Sequence, residues 1–208
     1  MVKNVLIIKS SPAGEASISN QVANYLMATM CDSDNKYQFT IRNLANTPAP
    51  VYNSEILGSF YGDPHALTAH QVEIAKPSLE YIDELKKADM IVLASPMHNF
   101  GITSLLKNYL DQICRFGLTF QYGTNGPEGL LTNKQAIIIA SAGGDFSSAE
   151  SKVADFQTPY LKKVLSFIGL DEVQVITAYG VAQGKEGPLQ AQKHAQQQIQ
   201  KLMNTYVA

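Results

Sequence analysis

Residues 90–111 are the stretch that decides the fold, and they read MIVLASPMHNFGITSLLKNYLD. The stretch opens with a short apolar run, which is typical of a strand buried on both faces. Ser95-Pro96 ends the run, and the turn formers Asn99 and Gly101 follow. Beyond Thr103-Ser104, either of which can cap a helix, apolar residues recur at helical spacing. The stretch therefore predicts a strand, a tight loop and a helix.

The same succession recurs on both sides of this stretch. Four more strands are predicted, over residues 2–8, 37–41, 134–141 and 173–178. Helices are predicted after Ser19, over residues 65–87 with Pro77 beginning a second helix, from Tyr160 to a Gly169 C-cap, and through the Gln-rich C-terminal segment. This alternation indicates an α/β fold with a doubly wound parallel sheet. Five strands favour the flavodoxin-like order with helices on both faces, in one domain over residues 1–208.

Two segments interrupt the alternation. Residues 44–63 contain the turn formers Pro48, Pro50, Asn53 and Gly58 without clear periodicity, and residues 116–131 have the composition of a lid. Long loops in compact domains are usually either functional or disordered. If they are functional, both segments are expected to serve a substrate or nicotinamide site.

Composition narrows the class of protein. A net charge of −2 gives no electrostatic basis for binding nucleic acid or an anionic membrane. No apolar stretch approaches the roughly 18 residues of a membrane span, and the first residues do not have the profile of a signal peptide. Cys31 and Cys114 have neither metal nor redox spacing, so both are expected to be buried thiols in a reducing compartment. These features predict a cytoplasmic protein without a metal.

Three loops follow the first, third and fourth strands, where ligands bind in such sheets: residues 10–19, 96–101 and 141–144. The first offers serine hydroxyls and the free amides of a helix start, a phosphate site with no lysine or arginine in the loop. It lacks the glycine patterns of dinucleotide and nucleoside triphosphate sites. The alternative is that these serines only cap the helix.

The second and third loops favour a flat aromatic ligand. Met97 and Phe100 supply apolar surface and Asn99 an amide, whereas Gly143-Gly144 lets the backbone approach a ring closely and Ser141 adds a hydroxyl. Taken together, the three loops describe a site for flavin mononucleotide (FMN). Ordinary core packing is the alternative for the side chains of the second loop.

The motifs in these loops resemble those of the FMN-dependent NADH:quinone oxidoreductases, also called azoreductases. The resemblance covers nearly the whole chain and rests on Lys9-Ser10-Ser11 with Ser17-x-Ser19-Asn20-Gln21, Pro96-Met97-x-Asn99-Phe100, Leu106-Lys107-Asn108-Tyr109, Phe120-x-Tyr122 with Asn125-Gly126-Pro127-Glu128-Gly129-Leu130, and Ser141-x-Gly143-Gly144. It implies a homodimer with one flavin near each subunit boundary. It also implies a substrate pocket over the exposed face of the flavin.

The resemblance also implies which residues bind the cofactor. The phosphate and ribityl chain would be held by Ser10, Ser17, Ile18 and Ser19. The isoalloxazine ring would be held by Pro96, Met97, His98, Asn99, Phe100, Ser141, Ala142, Gly143 and Gly144. Ile18, His98 and Ala142 depart from the residues that members of the family often carry. Phe120 and Tyr122 are candidates for stacking on an aromatic substrate or on the nicotinamide.

The expected reaction is a ping-pong transfer of two electrons, in which NADH reduces the flavin and the flavin reduces a quinone or an aromatic azo compound. Because the cofactor carries the chemistry, no catalytic side chain is required. His98 is either a proton donor near the flavin or a histidine that hydrogen-bonds for structure.

Three other functions are weighed against this one. A flavodoxin-like electron carrier needs no nicotinamide site and gives residues 44–63 and 116–131 no purpose. A serine hydrolase needs Gly-x-Ser-x-Gly, which does not occur. The combination of Ser10, Asn99 and Gly144 disfavours a relative that has lost its flavin.

Overall fold

A computed structural model describes residues 2–33, 36–61 and 66–207. Its strands are β1 (Lys3–Lys9), β2 (Tyr37–Asn43), β3 (Met90–Pro96), β4 (Phe120–Gly123), β5 (Gly126–Gly129), β6 (Gln135–Ser141) and β7 (Val173–Ala178). Five of them form one parallel sheet in the order β2-β1-β3-β6-β7. This order confirms the flavodoxin-like sheet. The remaining two, β4 and β5, form an antiparallel hairpin.

Helices cover both faces of the sheet, as a doubly wound fold requires. They are α1 (Ile18–Cys31), α2 (Ser54–Tyr61), α3 (Ala69–Lys87), α4 (Ser104–Ile113), α5 (Ala149–Lys152), α6 (Thr158–Phe167) and α7 (Gly187–Val207). One core lies between the sheet and α1 and α7, and the other lies between the sheet and α3, α4 and α6.

Strand β1 shows why this sequence forms a two-faced sheet. Val5 and Ile7 contribute to the core beneath α1, whereas Leu6 and Ile8 contribute to the core beneath α3 and α4. Successive side chains of a strand point to opposite faces, so a continuous apolar run is buried on both sides. Because β1, β3 and β6 are adjacent and parallel, their carboxyl ends lie side by side at one edge of the sheet.

The helical prediction for residues 65–87 was wrong at Pro77. Helix α3 begins after the N-cap Thr68, whose side chain forms a capping box with Gln71, and it continues through Pro77. Proline removes one helical hydrogen bond. Burial of the helix beyond it, including a bond from Ser78 Oγ to the Gln112 carbonyl, holds the helix together. The predicted start at His65 lies outside the described residues.

Residues 44–63 and 116–131 are more regular than predicted. The first segment contains α2, and its predicted end at Asp63 lies outside the described residues. The second contains the β4–β5 hairpin. A Cβ added to Gly129 would lie 2.0 Å from the amide nitrogen of Gly169, so the hairpin is seated directly on the end of α6. Strand composition does not reveal β5, because its sequence is Gly-Pro-Glu-Gly.

The two cysteines differ, and the prediction of a buried Cys31 was wrong. Cys31 is exposed at the end of α1, one residue beyond the fully buried Met30. Cys114 is partly buried, and burial raises the pKa of its thiol to about 12. No helix among the described residues combines the length and apolar composition needed to cross a membrane.

Candidate functional site

The first loop begins with a serine that fastens two strands together. The amide and the hydroxyl of Ser10 both donate to the carbonyl of Ala94 in β3, at 3.1 and 2.9 Å. Ser10 is fully buried. Its only hydroxyl proton is therefore used within the protein, and the side chain can serve a ligand only as an acceptor.

The neighbouring serine is arranged differently. Ser11 Oγ accepts a hydrogen bond from the amide of Ala13 at 3.3 Å. This hydroxyl donates no hydrogen bond to any of the described residues. Its proton is therefore available to a ligand bound in the loop. The sequence analysis named Ser10 from its place in the loop and from the family resemblance, and it did not name Ser11 as a cofactor residue.

The rest of the first loop forms the start of α1. Ser17 is the N-cap, and its hydroxyl lies 3.0 Å from that of Ser19. Asn20 Nδ2 donates to the carbonyl of Gly14 and closes the loop at 2.9 Å. The side chain of Ile18 packs into the core beneath α1, so only its backbone amide can face a ligand. The first amides of a helix have no intrahelical acceptor and suit an anion.

A buried cation lies behind this loop, which the sequence analysis missed. Lys9 is 6% exposed, and its ammonium donates to Asn24 Oδ1 at 2.8 Å, beside the first two turns of α1. None of the salt bridges among the described residues involves Lys9. The first loop therefore has positive charge close to it although none lies within it.

The second loop is a tight turn with two residues in an unusual backbone conformation. His98 and Gly101 exchange two backbone hydrogen bonds of 3.0 Å, and Asn99 and Phe100 between them have φ values of 49° and 68°. Positive φ at both central residues defines a type I′ turn, which a phenylalanine adopts only at a cost in free energy. The turn exposes 56% of Phe100. Strain of this kind in a loop at a strand end suggests a binding role.

The side chain of His98 is also exposed at this turn. Its imidazole makes no hydrogen bond to any residue that the structure describes. The alternative of a histidine held by structural hydrogen bonds thus gains no support from the described part of the chain.

The third loop contacts the second loop and the end of β7 through its backbone. The carbonyl of Ser141 accepts from the amide of Met97 at 2.7 Å, and the Ala142 amide donates to Ala178 in β7. Gly144 has ordinary φ, and a Cβ there would meet only the Phe146 ring at 3.5 Å. Since nothing in the described protein requires glycine at this position, its missing side chain leaves space for a ligand.

Helix α4 completes the connection between the loops. Its N-cap Thr103 accepts from the amide of Leu106 and donates to the carbonyl of Ser10 at 3.0 Å. The structure thus brings the three loops to one edge of the sheet. This edge holds every predicted cofactor residue, namely Ser10, Ser17, Ile18, Ser19, Pro96, Met97, His98, Asn99, Phe100, Ser141, Ala142, Gly143 and Gly144.

The two predicted stacking residues occupy different environments. Phe120 is 6% exposed and packs against Phe167 with ring centroids 4.3 Å apart. Tyr122 is 70% exposed and lies beside the exposed ring of Phe116, with centroids 6.0 Å apart. Only Tyr122 of the pair presents its ring to a ligand or to a partner subunit.

Two cations outside the three loops, Arg42 and Lys76, are paired with carboxylates. Arg42 bonds to Glu84 and lies over the ring of Tyr81, and Lys76 forms an ion pair with Glu73. Both pairs reduce the charge offered to a ligand.

Comparison with known proteins agrees with this geometry. The family model described as a flavodoxin-like fold matches residues 3–203. The FMN-dependent NADH:quinone oxidoreductase of Escherichia coli K12 is 40% identical over 203 residues, which cover 98% of this chain and 100% of that protein. The protein of the same name from Shigella flexneri is 40% identical over 202 residues, covering 97% and 99%.

A solved structure shares the fold. The FMN-dependent NADH-azoreductase from Bacillus anthracis in complex with FMN superposes with a TM-score of 0.88 at 24% identity, covering 99% of this chain and all of that one. With near-complete coverage by relatives that are 40% identical, the chain belongs to the family of the FMN-dependent NADH:quinone oxidoreductases.

Proposed function

We propose that this chain is an FMN-dependent enzyme that uses NADH to reduce quinones to hydroquinones and to cleave aromatic azo compounds. The relatives at 40% identity carry the first activity in their names, and the structural neighbour carries the second. The observation that supports the proposal most strongly is the meeting of three loops around a strained turn, beside Gly144, where an added Cβ would meet only the Phe146 ring.

The phosphate of FMN is assigned to the first loop. The hydroxyls of Ser11, Ser17 and Ser19 and the first amides of α1 form a group of donors, and Lys9 adds a buried positive charge. Anions bind at helix starts because the amides and the helix dipole both favour negative charge. Ser10 contributes by holding the loop to β3.

The isoalloxazine ring is assigned to the second and third loops. The exposed turn at residues 97–100 offers Met97, His98, Asn99 and Phe100, and the third loop offers the backbone of residues 141–144. Gly144 allows the backbone to approach the flat ring. The departures at Ile18 and Ala142 are compatible with this assignment, because both side chains are buried and only their backbone can serve the ligand.

Bound FMN would supply the redox chemistry, passing two electrons from each NADH to the acceptor, so that a quinone needs one cycle and cleavage of an azo bond needs two. The three loops of the chain would bind and orient the flavin. Because NADH delivers a hydride, reduction of a quinone to a hydroquinone takes only one further proton, which water or the exposed imidazole of His98 can supply.

The proposal includes a homodimer located in the cytoplasm. Exposed aromatic rings at Phe100, Phe116, Tyr122 and Phe156 provide apolar surface that a second subunit can cover. The two free thiols suit a reducing compartment.

An electron carrier without its own NADH activity is the second candidate. The hairpin β4–β5 weighs against it, because its close seating on α6 fixes an exposed aromatic side chain, Tyr122, on which a nicotinamide or an aromatic acceptor could stack. A carrier that only exchanges electrons through an exposed flavin edge needs no such element.

Steady-state kinetics test the proposal. The purified chain reconstituted with FMN should oxidise NADH in the presence of benzoquinone, with parallel double-reciprocal lines that indicate a ping-pong reaction. The control is FMN alone at the same concentration. A rate no greater than that of free FMN would contradict the proposal.

A further inference from the structure

The turn proposed to hold the flavin ring is fixed from outside the three loops. Residues 155–157, here called the clamp, precede α6 and contact both ends of the second loop. Gln157 Nε2 donates to the carbonyl of Ser95 at 2.8 Å and lies 2.9 Å from its hydroxyl. The amide of Phe156 donates to the carbonyl of Phe100 at 3.0 Å. The clamp therefore contacts the chain before the strained turn, at Ser95, and within the turn, at Phe100.

The clamp is itself rigidly held. Asp155 Oδ1 accepts from the amides of Gln157 and Thr158, both at 2.9 Å, which caps the start of α6. Its second oxygen accepts from the hydroxyl of Tyr179 at 3.3 Å. Both Asp155 and Gln157 are buried. The clamp is therefore anchored to the start of α6 and to the end of β7.

Burial of the Gln157 side chain has a free-energy cost that packing alone does not explain. Its Oε1 has no hydrogen-bond partner among the described residues although the whole side chain is buried. Burying an unpaired amide oxygen is unfavourable, so an apolar side chain of similar size would serve packing better. What glutamine adds is the Nε2 donor that reaches Ser95.

We propose that Gln157 is a positioning residue, which acts through Ser95 to hold residues 96–100 in the strained shape that receives the flavin ring. The proposal rests on the FMN site described above. Without the bond to Ser95, the turn would relax in the apoprotein, and binding of FMN would have to restore the strained shape. Loss of the donor should thus appear in the mobility of the turn and in the affinity for FMN.

The variant that tests this is Gln157→Met, which keeps the volume and removes the donor. Gln112→Met is a matched control, since Gln112 is equally buried, donates Nε2 to the carbonyl of Pro50 at 3.1 Å, and also has an unpaired Oε1. Gln157→Met loses the two contacts of Nε2 with Ser95 and Gln112→Met loses one contact of the same type, but only Gln157 bonds to the residue from which the second loop begins.

Two readouts separate positioning from stability. In the apoprotein, hydrogen exchange of the His98 and Gly101 amides, which are bonded across the turn, should accelerate about tenfold in Gln157→Met and stay within about twofold of the wild type in Gln112→Met. The Kd for FMN should rise about tenfold in the first variant and change less than about twofold in the second. The fall in Tm should be similar in both.

If the amides of the turn exchange hydrogen at equal rates in the two variants, the proposed role of Gln157 is wrong, whatever their affinities for FMN. Accelerated exchange with an unchanged Kd would also overturn it, because the turn would then not need positioning. Failure of the wild type to bind FMN would contradict the proposed function instead, and the exchange experiment would still decide whether the clamp holds the turn.

Discussion

Two adjacent serines have different roles at the scale of single residues. The hydroxyl of Ser10 donates to the carbonyl of Ala94, whereas the hydroxyl of Ser11 has no acceptor among the described residues. Ser11→Ala should raise the Kd for FMN about tenfold or more with little change in Tm, since hydrogen bonds to charged groups contribute roughly 1.5–3 kcal/mol. Ser10→Ala should lower the Tm by an amount equivalent to about 1 kcal/mol. Titration of FMN fluorescence and thermal unfolding measure both, and the reverse pattern would contradict the assignment.

Gly144 separates flavin binding from stability. Gly144→Ala should leave the apoprotein as stable as the wild type, because the added Cβ meets only the Phe146 ring at an ordinary distance. The same methyl group projects into the space assigned to the flavin ring, so the Kd for FMN should rise at least about tenfold.

Gly58→Ala is the control for this substitution. Gly58 lies inside α2, where a Cβ would meet only the end of Gln71 at 3.7 Å. It should gain about 0.5–1 kcal/mol of stability without changing flavin binding. Unchanged affinity for FMN in Gly144→Ala would contradict the placement of the ring.

Individual site residues were only partly predictable from the sequence. Turn formers at Asn99 and Gly101 indicated a tight turn, but the positive φ values fall on Asn99 and Phe100 rather than on the glycine. Gln157 belongs to no motif, and it contacts Ser95 from 62 positions away. Such contacts depend on tertiary packing, which local patterns do not contain.

At the scale of elements, we propose that the hairpin β4–β5, which is seated on the end of α6, borders the substrate pocket. Gly129→Ala should destabilise the protein by about 1–3 kcal/mol and raise the KM for quinone, because a Cβ would clash with the backbone of Gly169 and displace Tyr122. The Kd for FMN should stay within about twofold. Denaturant unfolding and steady-state kinetics measure the two effects.

Glu128→Ala is the control on the same strand. Glu128 is exposed and bonds only to the exposed side chain of Gln121 among the described residues. Its stability should change by less than about 0.5 kcal/mol. A Gly129→Ala protein with normal KM would show that the hairpin does not border the substrate pocket.

Elements with strong periodicity were predictable, and those defined by context were not. Strands β1, β3 and β6 were found because their apolar runs are continuous, and the outer strand β2 was found because its apolar and polar residues alternate. The short hairpin was missed because glycine and proline dominate β5, and the continuity of α3 through Pro77 was missed because tertiary packing overrides a local breaker.

At the scale of the whole molecule, the exposed aromatic rings predict a dimer. Sedimentation equilibrium should give twice the chain mass of 22.7 kDa. Phe116→Asp should shift the mass toward that of one chain and weaken flavin binding, because it places a charge in the apolar surface near Tyr122.

Val72→Asp is the matched control, since it charges an equally exposed apolar residue on α3. It should remain dimeric. A monomeric wild type with full activity would contradict the proposed assembly.

The most direct test of the central claim is an anaerobic absorbance experiment on the FMN-loaded protein. We expect one equivalent of NADH to bleach the flavin spectrum and one equivalent of benzoquinone to restore it, which would demonstrate both halves of the reaction. A flavin that binds but is not bleached by NADH would contradict the enzyme and favour the electron carrier. A chain that binds no FMN at all would contradict the three-loop site.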